Sequence, residues 1–138
     1  MARRIRIEVD GVAAFASLCE ELSPKMTEAF WQTLPVETTL APAKWSGNAV
    51  FLMPPAEHLQ TVAQNENPVC SIYPGYVVAR PAGSEILIAY GQSEYRWAPG
   101  TDYVTRVARI TEGRSELLAV LARTHDEGDK TIKIARVE

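Results

Sequence analysis

The sequence is poor in the residues that staple or charge a small protein. Its 138 residues include two cysteines, Cys19 and Cys70, too far apart for any C-x-x-C pair. That excludes a disulfide framework, and the two thiols read as small core hydrophobes. Only two histidines are present, His58 and His125, in polar segments without matching neighbours, so no zinc site is expected. Long apolar runs are missing. Runs such as Ala49 to Met53 fall far short of the roughly 18 residues needed to cross a bilayer as a helix. Clustered positive charge is missing as well. Lys and Arg number 14 against 17 Asp and Glu, for a net charge of −3, which argues against a nucleic-acid partner. The G-x-S-x-G elbow, the H-E-x-x-H pair, the phosphate-cradling glycine loop and the EF-hand loop are all absent. Ser46 precedes a glycine but has no histidine near it in sequence to activate it. The reading is therefore no metal, no cofactor, no membrane and no nucleic acid. The basic start, Met1-Ala2-Arg3-Arg4, runs into alternating Ile and charge instead of a signal-peptide core, so a cytoplasmic location is expected.

What is present is β grammar with one strong helix. Hydrophobic residues make up 46% of the chain, enough for a core in a single domain over residues 1–138. Ile5, Ile7 and Val9 alternate with Arg4, Arg6 and Glu8, the period-two pattern of a half-buried strand. Asp10-Gly11 suits a tight hairpin turn, and Val12 to Leu18 returns as the second strand. Ser23-Pro24 opens a helix, with serine as cap and proline at the first position. Met26, Ala29, Phe30 and Leu34 then share one face, and Pro35 ends the run. Beyond it, strands are expected at Ala49 to Met53, Val69 to Ile72, Tyr76 to Arg80, Glu85 to Tyr90, Tyr103 to Ile110 and Thr131 to Val137. Leu117, Leu118 and Leu121 suggest a short second helix, and Ala56 to Gln64 is open between a helical turn and a flap. Asp126-Glu127-Gly128-Asp129 reads as a solvated turn. The terminal strands, with matching patterns, are expected in one sheet.

Leu22-Ser23-Pro24-Lys25-Met26-Thr27-Glu28-Ala29-Phe30, following a strand pair, resembles the opening of cyclophilins. The whole chain is similar to a bacterial cyclophilin-like family catalogued as domain of unknown function 3830, through Trp45-Ser46-Gly47, Glu66-Asn67, Tyr73-Pro74-Gly75 and Tyr90-Gly91 in that order. The resemblance implies a mainly β fold, a closed antiparallel barrel of about eight strands capped by one or two helices. It implies no activity. Prolyl isomerases carry Phe-His-Arg and Gln-Gly-Gly-Asp segments, and this chain has neither, so isomerase activity is not expected.

The chemistry-bearing residues gather beside turn signals: Lys44, Trp45, Glu66, Asn67, Tyr73, Tyr90, Tyr95, Arg96 and Trp97. One reading makes them structural caps of the barrel ends. Another is a small-molecule site at one mouth. There Trp45, Glu66, Asn67 and Tyr90 would converge, Lys44 or Arg96 would supply positive charge, and Glu66 would serve as general base if burial raised its pKa. The competing class is a non-catalytic interaction subunit or homo-oligomer, with Tyr and Trp as interface. Composition leaves both open.

Overall fold

The computed structural model describes residues 2–54 and 57–138. The expected hairpin is β1 (Arg4–Val9) and β2 (Val12–Leu18), paired from Arg4↔Ser17 to Val9↔Val12. Its turn holds Asp10 at φ 51° and Gly11 at φ 75°, the two positive values that this short connection requires. Helix α1 (Pro24–Thr33) follows, then β3 (Val36–Pro42), a 3-10 turn at Lys44–Ser46 and β4 (Gly47–Leu52). The next elements are β5 (Ser71–Ile72), β6 (Tyr76–Ala79), β7 (Ile86–Glu94), β8 (Arg96–Trp97), β9 (Gly100–Thr101) and β10 (Thr105–Glu112). Helices α2 (Arg114–Ala122) and α3 (Thr124–Glu127) lead to β11 (Lys130–Val137).

Eight strands run in the order β4-β3-β11-β1-β2-β10-β6-β7, and β7 pairs back onto β4. The sheet is therefore a closed antiparallel barrel, with β5 added beside β7. Closure leaves no free edge among those eight. The terminal strands share this sheet, as expected, pairing Arg4↔Val137 through Val9↔Ile132. Strands β8 and β9 form a separate small hairpin.

Two apolar layers explain the denser runs of the sequence. Inside the barrel lie Ile5, Ile7, Val50, Leu52, Val77, Ile86, Ile88, Ile132 and Ile134, with Phe30 and Leu117 from the helices. Alternate residues of the same strands face the other way: Ala49, Val78, Leu87 and Ala89 pack with Ile72, Tyr95 and Val104 outside. Thus β7 is buried on both faces, which is why Ile86-Leu87-Ile88-Ala89 is a continuous hydrophobic run and not an alternating one. Helix α2 packs on β1, β2, β4 and β7, while α1 packs on β10 and on the 3-10 turn Leu59–Thr61.

Several expectations need correction. β3 lies outside the expected strands: its inward face carries only Val36 and Leu40 as buried anchors, with Thr38 between them, and Pro35 and Pro42 bound it. The strand expected at Val69 to Ile72 shrinks to Ser71–Ile72 plus one bridge, Val69↔Val104. Within the ambiguous Ala56 to Gln64 segment, Ala56 lies outside the described residues, and the remainder makes only the turn at Leu59–Thr61. In the acidic segment Asp126 and Glu127 end the helical turn α3, while Gly128 and Asp129 lie outside it. Cys19 and Cys70 are free and half-buried rather than core residues.

Candidate functional site

Ser23 does not cap α1. It is fully buried, and its hydroxyl donates inward to the carbonyls of Cys19 and Arg106. The capping group comes instead from Glu66. One carboxylate oxygen accepts from the Lys25 N–H at 3.1 Å and the other from the Met26 N–H at 2.8 Å. Pro24 has no N–H, and the Thr27 N–H already bonds the Ser23 carbonyl, so Glu66 satisfies both donors that the first turn leaves free. The negative charge also complements the positive end of the helix. Asn67, at φ 46°, donates its side-chain amide to the Leu22 carbonyl at 2.7 Å. Thr105 anchors the same segment, receiving the Glu66 N–H and donating to Asn65. Glu66→Ala is therefore expected to cost about 1–2 kcal/mol of stability, with Glu66→Gln recovering part of it. Urea midpoints measure this, and a loss under ~0.3 kcal/mol in the alanine variant would mean that water caps the helix equally well.

Tyr90 is placed elsewhere again. It packs against the inner core, and burial together with the Asp126 charge pushes its phenol above the usual range. Tyr95 is buried in the outer layer, its phenol pushed up by burial first and by Glu85 second. Trp97 donates to Asp102 at 2.8 Å, and the Arg80 guanidinium lies 4.2 Å from its ring centre. The expected convergence of Trp45 with Glu66, Asn67 and Tyr90 does not occur, because Glu66 and Asn67 fasten a loop to α1 while Tyr90 turns inward.

Four of the other candidates do come together. Lys44, Trp45, Tyr73 and Arg96 line one open cleft of about 840 Å³, with Ser46, Gln92 and Glu94. The 3-10 turn presents Lys44 and Trp45. The Trp45 ring meets Phe51 edge-on with 5.1 Å between ring centres, and the residue is 47% exposed. Tyr73 starts a turn closed by the Tyr76 N–H on its carbonyl, and the residue is 74% exposed. Arg114, the first residue of α2, braces that turn by donating to the Pro74 carbonyl at 2.9 Å. Opposite, the Ser46 hydroxyl oxygen accepts the Arg96 N–H at 3.1 Å, joining the 3-10 turn to β8. The Arg96 guanidinium pairs with Glu94 at 2.9 Å, and Thr101 donates to the same carboxylate oxygen at 2.8 Å. The β4–β7 register shifts between Gly47↔Ser93 and Ala49↔Ala89. This irregularity bends β7 where Gln92 and Glu94 enter the cleft.

Nothing in the sequence marks Ser46 as a clamp, and Gln92 and Glu94 lie beyond Tyr90, where the sequence pattern ends this strand. Arg106 is likewise unmarked in the sequence. A cavity of about 30 Å³ beside the cleft is lined by Ser71, Tyr73, Tyr76 and Arg106, and the buried Arg106 Nε has no hydrogen-bond partner among the described residues. That volume matches about one water molecule. Among the described residues, no group of three metal-ligating side chains occurs, and no helix is long and apolar enough to cross a membrane.

The fold recurs in solved structures of low identity. The structure of McbB in complex with tryptophan superposes with a TM-score of 0.71 at 18% identity, covering 96% of this chain and 44% of that one. This chain thus spans under half the length of McbB. The hypothetical protein AF2241 from Archaeoglobus fulgidus matches with a TM-score of 0.64 at 19% identity, over 99% of this chain and 95% of that one. No curated protein matches the chain. The family model described as a protein of unknown function (DUF3830) covers residues 5–136, almost the whole barrel, and the chain belongs to that family.

Proposed function

We propose that the chain binds a small metabolite with a flat apolar body and a carboxylate, seated in the cleft between Trp45 and Tyr73. The observation that carries this reading is the meeting of two exposed aromatic faces with Lys44 and Arg96 around one cleft. Flat rings supply apolar contact area, and the two cations favour a carboxylate. The tryptophan bound to a structural neighbour supports a ligand of this kind. The reading needs no proton acceptor from Glu66, whose oxygens are both engaged at α1.

Thermal unfolding and calorimetry with aromatic carboxylates test it. A ligand at a hundred times its Kd adds about 2.7 kcal/mol to apparent stability. Trp45→Ala is expected to weaken binding about tenfold and to leave the unfolding midpoint nearly unmoved, because the ring is half in solvent. If no such ligand stabilises the protein, or if Trp45→Ala binds as well as the parent, the cleft is not the site.

A second reading is favoured by Trp97 and Tyr103, which are 40% and 53% exposed and lie outside the cleft lining. Exposed aromatics of this kind suit a protein interface, including one between copies of this chain. Concentration-dependent sedimentation separates the two, since a binding cleft predicts no change in mass.

A further inference from the structure

The cleft carries three charges, and their wiring narrows the ligand further than its aromatic walls do. Lys44 has no ion-pair partner among the described residues, and Arg96 is held by Glu94 through one of its nitrogens. A guanidinium has five donors, so Arg96 keeps donors for a ligand. Glu94 is the informative group. Its Oε1 takes both the Arg96 pair and the Thr101 hydroxyl, while its Oε2 has no partner among the described residues. Its side chain is 38% exposed, so this second oxygen is open to a donor in the cleft. A ligand offering only a carboxylate would gain from Lys44 and Arg96 but would sit against the Glu94 charge. A ligand that also carries an ammonium group removes this repulsion and gives Oε2 a charged donor.

On the ligand reading above, we propose that the cleft selects a zwitterion. The ligand class is an aromatic α-amino acid or a close analogue, with its carboxylate toward Lys44 and Arg96 and its ammonium on Glu94. Glu94 then determines specificity instead of serving only as a tether for Arg96.

Three ligands with the same ring separate the charges: L-phenylalanine carries both, 3-phenylpropionate only the carboxylate, and 2-phenylethylamine only the ammonium. Calorimetry at low salt is expected to rank phenylalanine about tenfold tighter than either of the others. In Glu94→Gln, phenylalanine is expected to weaken about tenfold, while 3-phenylpropionate binds unchanged or more tightly, which also shows that the variant is folded. The proposal is overturned if 3-phenylpropionate equals phenylalanine on the parent protein. It is equally overturned if Glu94→Gln weakens both in parallel, since Glu94 would then only position Arg96. Binding of 3-phenylpropionate alone leaves the cleft reading standing and removes the zwitterion. Binding of none of the three removes both.

Discussion

Phe30→Ala is expected to lower the unfolding free energy by about 3–5 kcal/mol. Phe30 is 0% exposed and belongs to the inner core, with Met26 on the same face of α1 and Leu34 just past its end. Removing the ring forfeits its transfer from water and leaves a cavity that the strands cannot close, because a hydrogen-bonded barrel does not collapse onto a missing side chain. A domain of this size is stable by roughly 5–15 kcal/mol, so the loss takes a large share of the total. Gln32→Ala, on the exposed side of the same helix, serves as the control and should stay within about 0.5 kcal/mol of the parent. Urea unfolding at constant m-value reads both. A Phe30→Ala loss below ~1 kcal/mol would mean that α1 does not pack on the barrel.

That helix face was legible in the sequence because its signal is local. Met26, Ala29, Phe30 and Leu34 repeat at helical spacing, and Pro24 and Pro35 bracket them. The first hairpin and the last strand were legible for the same reason, since alternation every second residue is visible within six positions. What sets the helix N-terminus was not. Ser23 looked like the cap, but the cap is a carboxylate some 40 residues away in sequence, brought there by the loop that Thr105 anchors. Local propensity cannot report a tertiary partner.

The candidate site divides along the same line. Lys44, Trp45, Tyr73 and Arg96 were recognised by residue type beside turn signals, and the fold gathers them. Glu66 and Asn67 have the same surface signature, yet their hydrogen bonds tie a loop to α1. A turn signal says where strands end, and it does not say at which end of a barrel. Only the pairing of β4 with β7, and the register shift within it, brings residues 44–47 beside residues 92–96.

Gly47→Ala tests that juncture and is expected to cost about 2–4 kcal/mol. Gly47 has φ 106° and ψ −131°, a region that residues with a Cβ rarely enter. An added Cβ would lie 2.7 Å from the Gln92 carbonyl oxygen and 3.3 Å from the Ser93 Cα, and both are backbone atoms that cannot swing aside. The variant must therefore flip the turn or push β7 away. Either movement pulls Ser46 off the Arg96 N–H and shifts Trp45, so ligand binding should fall even where the protein is still folded. Gly100 supplies the comparison. Its φ is a similar 116°, but a Cβ there would meet nothing within 4 Å. Gly100→Ala should thus show the conformational strain alone, about 1–2 kcal/mol, and leave the cleft intact. The difference between the two variants measures the close approach of β4 to β7. Equal losses would show that β7 yields freely beside the cleft, and the walls at Trp45 and Arg96 would then lack the rigid support that a binding site needs.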